Sequence, residues 1–266
     1  MHIGKAIRME RLINRTTKRS IIVPMDHGVT VGPINGLEDM RRAVSEVAEG
    51  GADAVVGHKG LARCGHRRGG RDVGLILHLS SSTDLSPHCN AKVLTATVED
   101  AIKHGADAVS MHVNLGDPTE PKMLEDLGMV AGRAEDWGMP LLVMIYARGP
   151  KIKDSLAPDM VAHSARVAVE LGADLVKVPY TGDMDSFARV VEACCVPVVI
   201  AGGPRTETSR EFLQMVSDAI KAGAAGISVG RNIFQHPRPR QMVSALSGLV
   251  HADWTVEQAL GVLGEE

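Results

Sequence analysis

A lysine inside an apolar run is the feature of this chain most able to do chemistry. Lys177 sits in Asp174-Leu-Val-Lys-Val-Pro179, where a cation is normally excluded. Desolvation disfavours the ammonium and makes the neutral amine accessible near neutral pH, and a neutral amine attacks carbonyls to form a Schiff base. The alternative is a gatekeeper lysine that blocks aggregation at the edge of a sheet. Two further residues complete a set suited to imine chemistry. Asp26 ends the run Ser20-Ile-Ile-Val-Pro-Met-Asp26, and Tyr146 ends Pro140-Leu-Leu-Val-Met-Ile-Tyr146. In an extended strand Asp26 shares a face with Ile22 and Pro24, Tyr146 with Leu142 and Met144, and Lys177 with Leu175. An amine, a phenol and a carboxylate could then converge, a trio suited to imine chemistry: the amine attacks a ketone, an acid protonates the leaving hydroxyl, and a base moves the proton when a carbon–carbon bond breaks or forms. The bland alternative for Asp26 is a turn or cap residue before Gly28, and Tyr146, read alone, is equally an amphipathic strand end with its hydroxyl in solvent.

Two other strand ends expose backbone. Ala201-Gly-Gly-Pro204 and Val229-Gly-Arg-Asn-Ile233 offer unobstructed amides at Gly202, Gly203 and Gly230 and a charge at Arg231, which suits a phosphate. His27, His58 and His112 read as hydrogen-bonded rim residues. Lys59 is a possible second cation, able to depress the pKa of Lys177 or to bind a carboxylate. The basic run from Arg63 to Arg71 reads as a solvated or subunit-facing loop. Cys64, His66, His58, His88 and Cys89 are Cys/His-rich but lack a paired ligand spacing, so no metal site is expected.

These residues need a scaffold that gathers strand ends. A local pattern recurs at Gly51-Ala-Asp53, Gly105-Ala-Asp107, Gly172-Ala-Asp174 and Gly223-Ala-Ala225: the end of a helix, a glycine cap, then an apolar strand. Four more apolar runs, at 20–26, 74–79, 140–146 and 197–202, bring the strands to eight. Amphipathic patterns separate most of them, as at 37–50, 158–172, 186–195 and 209–223. Eight alternating β and α units in one domain, residues 1–266, indicate a TIM (β/α)8 barrel, with an extra helix over residues 3–15 covering its bottom. An open doubly wound sheet would more often carry a glycine-rich motif after its first strand, and none is present. A closed barrel has no edge to guard, so the gatekeeper reading of Lys177 loses its support.

Composition excludes other classes. A formal charge of -3 and 3% aromatic residues give neither attraction to nucleic acid nor stacking platforms, and no stretch is apolar enough to span a membrane. A cytoplasmic protein with reduced thiols is expected.

The segments Pro24-Met-Asp-His-Gly-Val29, His58-Lys-Gly60, Ser110-Met-His-Val-Asn114, Tyr180-Thr-Gly-Asp-Met-Asp-Ser-Phe187, Ala201-Gly-Gly-Pro204 and Val229-Gly-Arg-Asn-Ile-Phe-Gln-His236 resemble the archaeal-type class I aldolases nearly end to end. The resemblance implies Lys177 as the Schiff-base lysine, Asp26 as proton acceptor and Tyr146 as proton donor. It also implies sugar-phosphate contacts at Asp26, His27, Gly28, Val29 and Thr30, at Tyr146, Ala147 and Arg148, and at Gly202, Gly203, Gly230 and Arg231. Relatives often have proline where this chain has Ala147. The implied reaction is a transaldolase step feeding aromatic amino acid biosynthesis: a 6-deoxy-5-ketohexose phosphate forms an imine on Lys177, is cleaved, and its three-carbon enamine adds to L-aspartate semialdehyde. No cofactor is needed, because the iminium is itself the electron sink, and a homo-oligomer is expected from the relatives. A class I fructose-1,6-bisphosphate aldolase is the alternative, and a non-catalytic sugar-phosphate-binding barrel is the reading of a different class.

Overall fold

A computed structural model describes residues 2–65 and 72–265. Eight parallel strands close into a barrel: β1 Ser20–Pro24, β2 Ala54–Gly57, β3 Gly74–His78, β4 Ala108–Leu115, β5 Leu141–Ala147, β6 Leu175–Pro179, β7 Val198–Ala201 and β8 Gly226–Ser228. β8 pairs back onto β1 through Ile22 and Ser228, so the expected TIM barrel is observed.

Alternation along each strand divides the apolar residues between two cores. Ile22, Ala54, Val56, Ile76, Ala108, Leu142, Met144, Leu175 and Val199 fill the barrel, together with Met9 and Leu12 from the N-terminal segment. The other face of the strands packs against the helices. The four cap glycines have left-handed backbones, with φ of 101° at Gly51, 72° at Gly105, 98° at Gly172 and 97° at Gly223.

The aspartates of the recurring pattern have a task that the pattern did not disclose. Asp53 accepts the amide of Ile21 (2.7 Å), Asp107 that of Leu75 (3.0 Å) and Asp174 that of Leu141 (2.9 Å). Each therefore ties its own strand to a neighbour at the bottom of the barrel. Each also holds a peripheral cation or imidazole: His251 on Asp53, Arg11 on Asp107 and Lys5 on Asp174.

Some boundaries differ from expectation. The N-terminal helix is Ile3–Met9, shorter than 3–15. Its chain then turns, because the Asn14 carboxamide accepts the amides of Thr16 and Thr17, and Ser20 Oγ donates to the Leu12 carbonyl. The helix expected at 37–50 is Met40–Gly50, started by the Asp39 side chain, and that at 186–195 is Met184–Glu192, started by Asp183. The others are Pro158–Glu170 and Ser209–Lys221. β4 does not stop at His112 but continues to Leu115, which carries Asn114 into the barrel mouth.

Among the described residues no helix is long and apolar enough to cross a membrane.

Candidate active site

The inward-facing positions become polar at the C-terminal ends of the strands. Lys177 stands one step above Leu175, beside Met144 on β5 and Val199 on β7, and is only 7% exposed. Burial pulls its ammonium down to about 8, and the guanidiniums of Arg148 and Arg231 push the same way, against the attraction of Asp26. A substantial fraction of such an amine is neutral and nucleophilic in mildly basic solution.

Tyr146 lies two residues above Met144 on the same face. Its ring meets His112 at 5.0 Å, and the Arg148 guanidinium lies 4.4 Å from its centroid. Burial, with Asp26, pushes the phenol up to about 12, although the two arginines oppose it. It therefore keeps its proton and can act only as a donor near neutral pH.

Asp26 follows β1. Burial opposes its ionisation, but His78, His27 and Lys177 around it win and hold the carboxyl well below the usual carboxylate range. His78 Nε2 is 3.8 Å and His27 Nδ1 3.7 Å from its oxygens. His78 is pulled down to about 4, first by burial. Its Nδ1 lies 2.8 Å from Ser110 Oγ, and its ring packs edge-on against His58. A carboxylate kept ionised beside an amine and a protonated phenol is able to accept a proton.

A cleft of ≈ 310 Å³ opens over Lys177, and Tyr146, Arg148, Gly202, Gly203, Gly230 and Arg231 line it together with His27 and Ser228. Its glycines are required by geometry. A Cβ on Gly202 would meet Val229 Cγ1 at 2.4 Å, and one on Gly230 the Pro24 carbonyl at 2.7 Å. Arg231 Nη2 donates to the Gly203 carbonyl (2.8 Å), and the Asn232 carboxamide donates to those of Gly202 and Pro204. The two turns are thus latched into one cradle of amides and a guanidinium, suited to an oxyanion such as phosphate.

Not every expected residue reaches this cleft. Asp26 lies beside it rather than in its lining. Gly28, Val29 and Thr30 occupy the short helix His27–Val31, outside the lining. Ala147 alternates to the other face of β5 and lines a separate cavity with Leu115 and Ile152. Lys59 lies 3.6 Å from Asp100, outside the cleft lining, so it is not a second cation beside Lys177.

Residues 66–71 of the basic loop, with His66, lie outside the described residues. Among those described no group of His, Cys, Asp or Glu is arranged to hold a metal ion. His78, Ser110, Asn114 and Ser228 also face this end of the barrel and do not stand out from the strand ends alone. Alternation from Ile76, Ala108 and Ile22 could have found them, since β8 sets Ser228 beside Ile22.

The chain is 46% identical over 261 residues to the 2-amino-3,7-dideoxy-D-threo-hept-6-ulosonate synthase of Halobacterium salinarum, covering 98% of this chain and 97% of that protein. It is 43% identical over 252 residues to the 2-amino-4,5-dihydroxy-6-oxo-7-(phosphonooxy)heptanoate synthase of Streptomyces griseus, covering 95% of this chain and 92% of that one. A solved structure of a Schiff-base-forming fructose-1,6-bisphosphate aldolase superposes with a TM-score of 0.86 at 35% identity, over 93% of this chain and all of that one. Residues 20–236 match the family model itself, and the chain belongs to the DeoC/LacD family of aldolases.

Proposed function

We propose that this aldolase is a Schiff-base synthase that joins a three-carbon ketone unit to L-aspartate semialdehyde, giving 2-amino-3,7-dideoxy-D-threo-hept-6-ulosonate for aromatic amino acid biosynthesis. The donor is 6-deoxy-5-ketofructose 1-phosphate. The observation that carries the chemistry is the buried amine of Lys177, drawn down to about 8 in a cleft that also holds a protonated phenol. The likeness to the Halobacterium salinarum synthase supports the substrates.

Lys177 attacks the ketone carbon, and the carbinolamine hydroxyl leaves as water after taking a proton from Tyr146. Asp26 then takes the proton of the hydroxyl next to the scissile bond. That bond breaks, its electron pair flows into the iminium, and an aldehyde and a Lys177-bound enamine result. The enamine carbon attacks the aldehyde of the acceptor, the new alkoxide is protonated, and hydrolysis frees the product and Lys177. Met144 and Val199 are the strand neighbours of Lys177 and belong to the apolar barrel core.

A second reading differs only in the donor. Disconnecting the Streptomyces griseus synthase's product between carbons 4 and 5 leaves the same four-carbon amino-acid aldehyde and a three-carbon ketone bearing phosphate. The latched turns at Gly202, Gly203 and Gly230, with Arg231, adjoin Lys177 and would suit such a phosphate.

Purified enzyme should be supplied with aspartate semialdehyde and either 6-deoxy-5-ketofructose 1-phosphate or dihydroxyacetone phosphate, with borohydride trapping of the imine in parallel. The dideoxy product from the first pair is expected. A seven-carbon phosphate from the second pair selects the other donor. Cleavage of fructose 1,6-bisphosphate with no seven-carbon product would instead make the protein a fructose-1,6-bisphosphate aldolase.

A further inference from the structure

Both seven-carbon products end in the same amino-acid carbons, so the acceptor brings a carboxylate to the site whichever donor is used. The glycine cradle lies at β7 and β8. In the closed strand order β3 is four strands from β7, on the opposite side of the mouth. The chain that follows β3 folds across that side. Its ends are zipped by the antiparallel pair Ser80–Ser81 with Val93–Leu94. One flank is fastened to the helix after β1, where the amide of Asp84 donates to the Thr30 carbonyl (2.9 Å). The other is fastened to β4, where Asn114 Nδ2 donates to the Asn90 carbonyl (2.8 Å). Asn114 Oδ1 in turn accepts from His112 Nε2 (2.9 Å), and the His112 ring rests on Tyr146.

This strap carries Lys92. Its ammonium is partly buried and, among the described residues, donates only to neutral oxygens, Ser82 Oγ and the Cys89 carbonyl. Among the described residues no carboxylate lies within ion-pair distance of it. Burial and the nearby Arg148 guanidinium pull its pKa down, against the weaker attraction of Cys89, Asp26 and Asp84, so an anion placed between Lys92 and Arg148 would relieve their mutual repulsion. Arg148 reaches from here into the cleft over Lys177.

We propose that Lys92, with Arg148, binds the carboxylate of the amino-acid aldehyde on the side of Lys177 opposite the glycine cradle, and so selects an acidic acceptor. The inference rests on the synthase reading of the site. The ketone unit then lies between Lys177 and the cradle, while the aldehyde approaches from the strap. With the deoxy-sugar donor, the phosphorylated aldehyde that departs leaves from this same side, and the carboxylate takes its place.

The test is Lys92→Met, which keeps the length of the chain and removes the charge. Loss of one charge-assisted contact should raise the KM for aspartate semialdehyde roughly 10- to 100-fold. Lys92→Arg should recover part of the loss, and the rate with butanal, an aldehyde without a carboxylate, should be unchanged. Borohydride trapping of hydroxyacetone or dihydroxyacetone phosphate on Lys177, which involves the ketone half alone, should also be unchanged, which at the same time shows that the variant is folded. An unaltered acceptor KM in a folded variant overturns the inference, and so does a loss of ketone trapping in its place. Failure of the unmodified enzyme to make any seven-carbon product would instead remove the synthase reading on which it rests.

Discussion

Replacing Lys177 with methionine is expected to abolish imine formation and at the same time make the protein more stable at neutral pH. The amine is drawn from its ordinary 10.5 to about 8, mainly by burial. At ~1.36 kcal/mol for each tenfold change in proton affinity, this corresponds to about 3 kcal/mol. At pH 7 the lysine is protonated in both folded and unfolded chains, so the folded state bears the whole cost of a desolvated charge. Between pH 8 and 10.5 the folded protein releases its proton while the unfolded chain keeps it, and stability rises with pH because the unfolded state binds more protons. Above 10.5 the cost is gone. Methionine fills a similar volume beside Met144 and Val199 with no charge, so the variant should gain up to about 3 kcal/mol at pH 7 and little at pH 10.5. Urea unfolding of both proteins at a series of pH values measures this difference directly. The same amine sets the pH dependence of activity, with borohydride-trapped imine rising to half its limit near pH 8. A variant less stable than the parent at pH 7, or a trapping curve centred near 10.5, would refute the argument that burial activates this amine.

Tyr146→Phe should lower kcat by about 10²- to 10⁴-fold, the usual weight of a positioned proton donor, with little effect on the thermal midpoint; an undiminished kcat would move the acid elsewhere. Arg231→Ala should weaken binding of dihydroxyacetone phosphate, the donor whose phosphate adjoins the imine carbon, by about 1.5–3 kcal/mol, seen as a raised KM or weaker imine trapping, and an unchanged value would show that the cradle does not hold that phosphate. Asp107→Ala removes the acceptor of the Leu75 amide and the partner of Arg11. It should cost about 1–3 kcal/mol in urea unfolding while kcat stays the same, and a fall in kcat at unchanged stability would contradict a purely structural role.

The barrel was readable because its strands are buried on both faces and its helices on one, so apolar runs alternate with 3.6-residue periodicity between glycine caps. Lys177 and Tyr146 stood out for the same reason: a polar residue in register with Leu175 or Met144 has nowhere to go but the mouth. What escaped were interactions between segments remote in sequence. Nothing local to Asp107 announces that its carboxylate ends at the amide of Leu75. His78 reads as one more residue of β3 until Ser110 and Asp26 are brought beside it. Lys92 looks like an ordinary loop cation, because its burial depends on a strap fastened at Thr30 and Asn114. The overestimated N-terminal helix has a more local cause, the turn in which Asn14 accepts the amides of Thr16 and Thr17, which leaves Leu12 docked under the barrel.

That docking also sets a clock for synthesis. Lys5, which pairs with Glu135 and Asp174, has to wait for the second of these carboxylates, 169 positions later. At ~5–20 residues per second, the ribosome needs roughly 10 to 30 s to supply that partner. Through this interval the nascent chain carries the apolar side chains of Met9 and Leu12 with no barrel floor to receive them. β1 waits longer still, because β8 is its closing neighbour. A segment made before every strand of the barrel is therefore among the last to be secured, and shielding it during translation is a demand that this topology places on the cell.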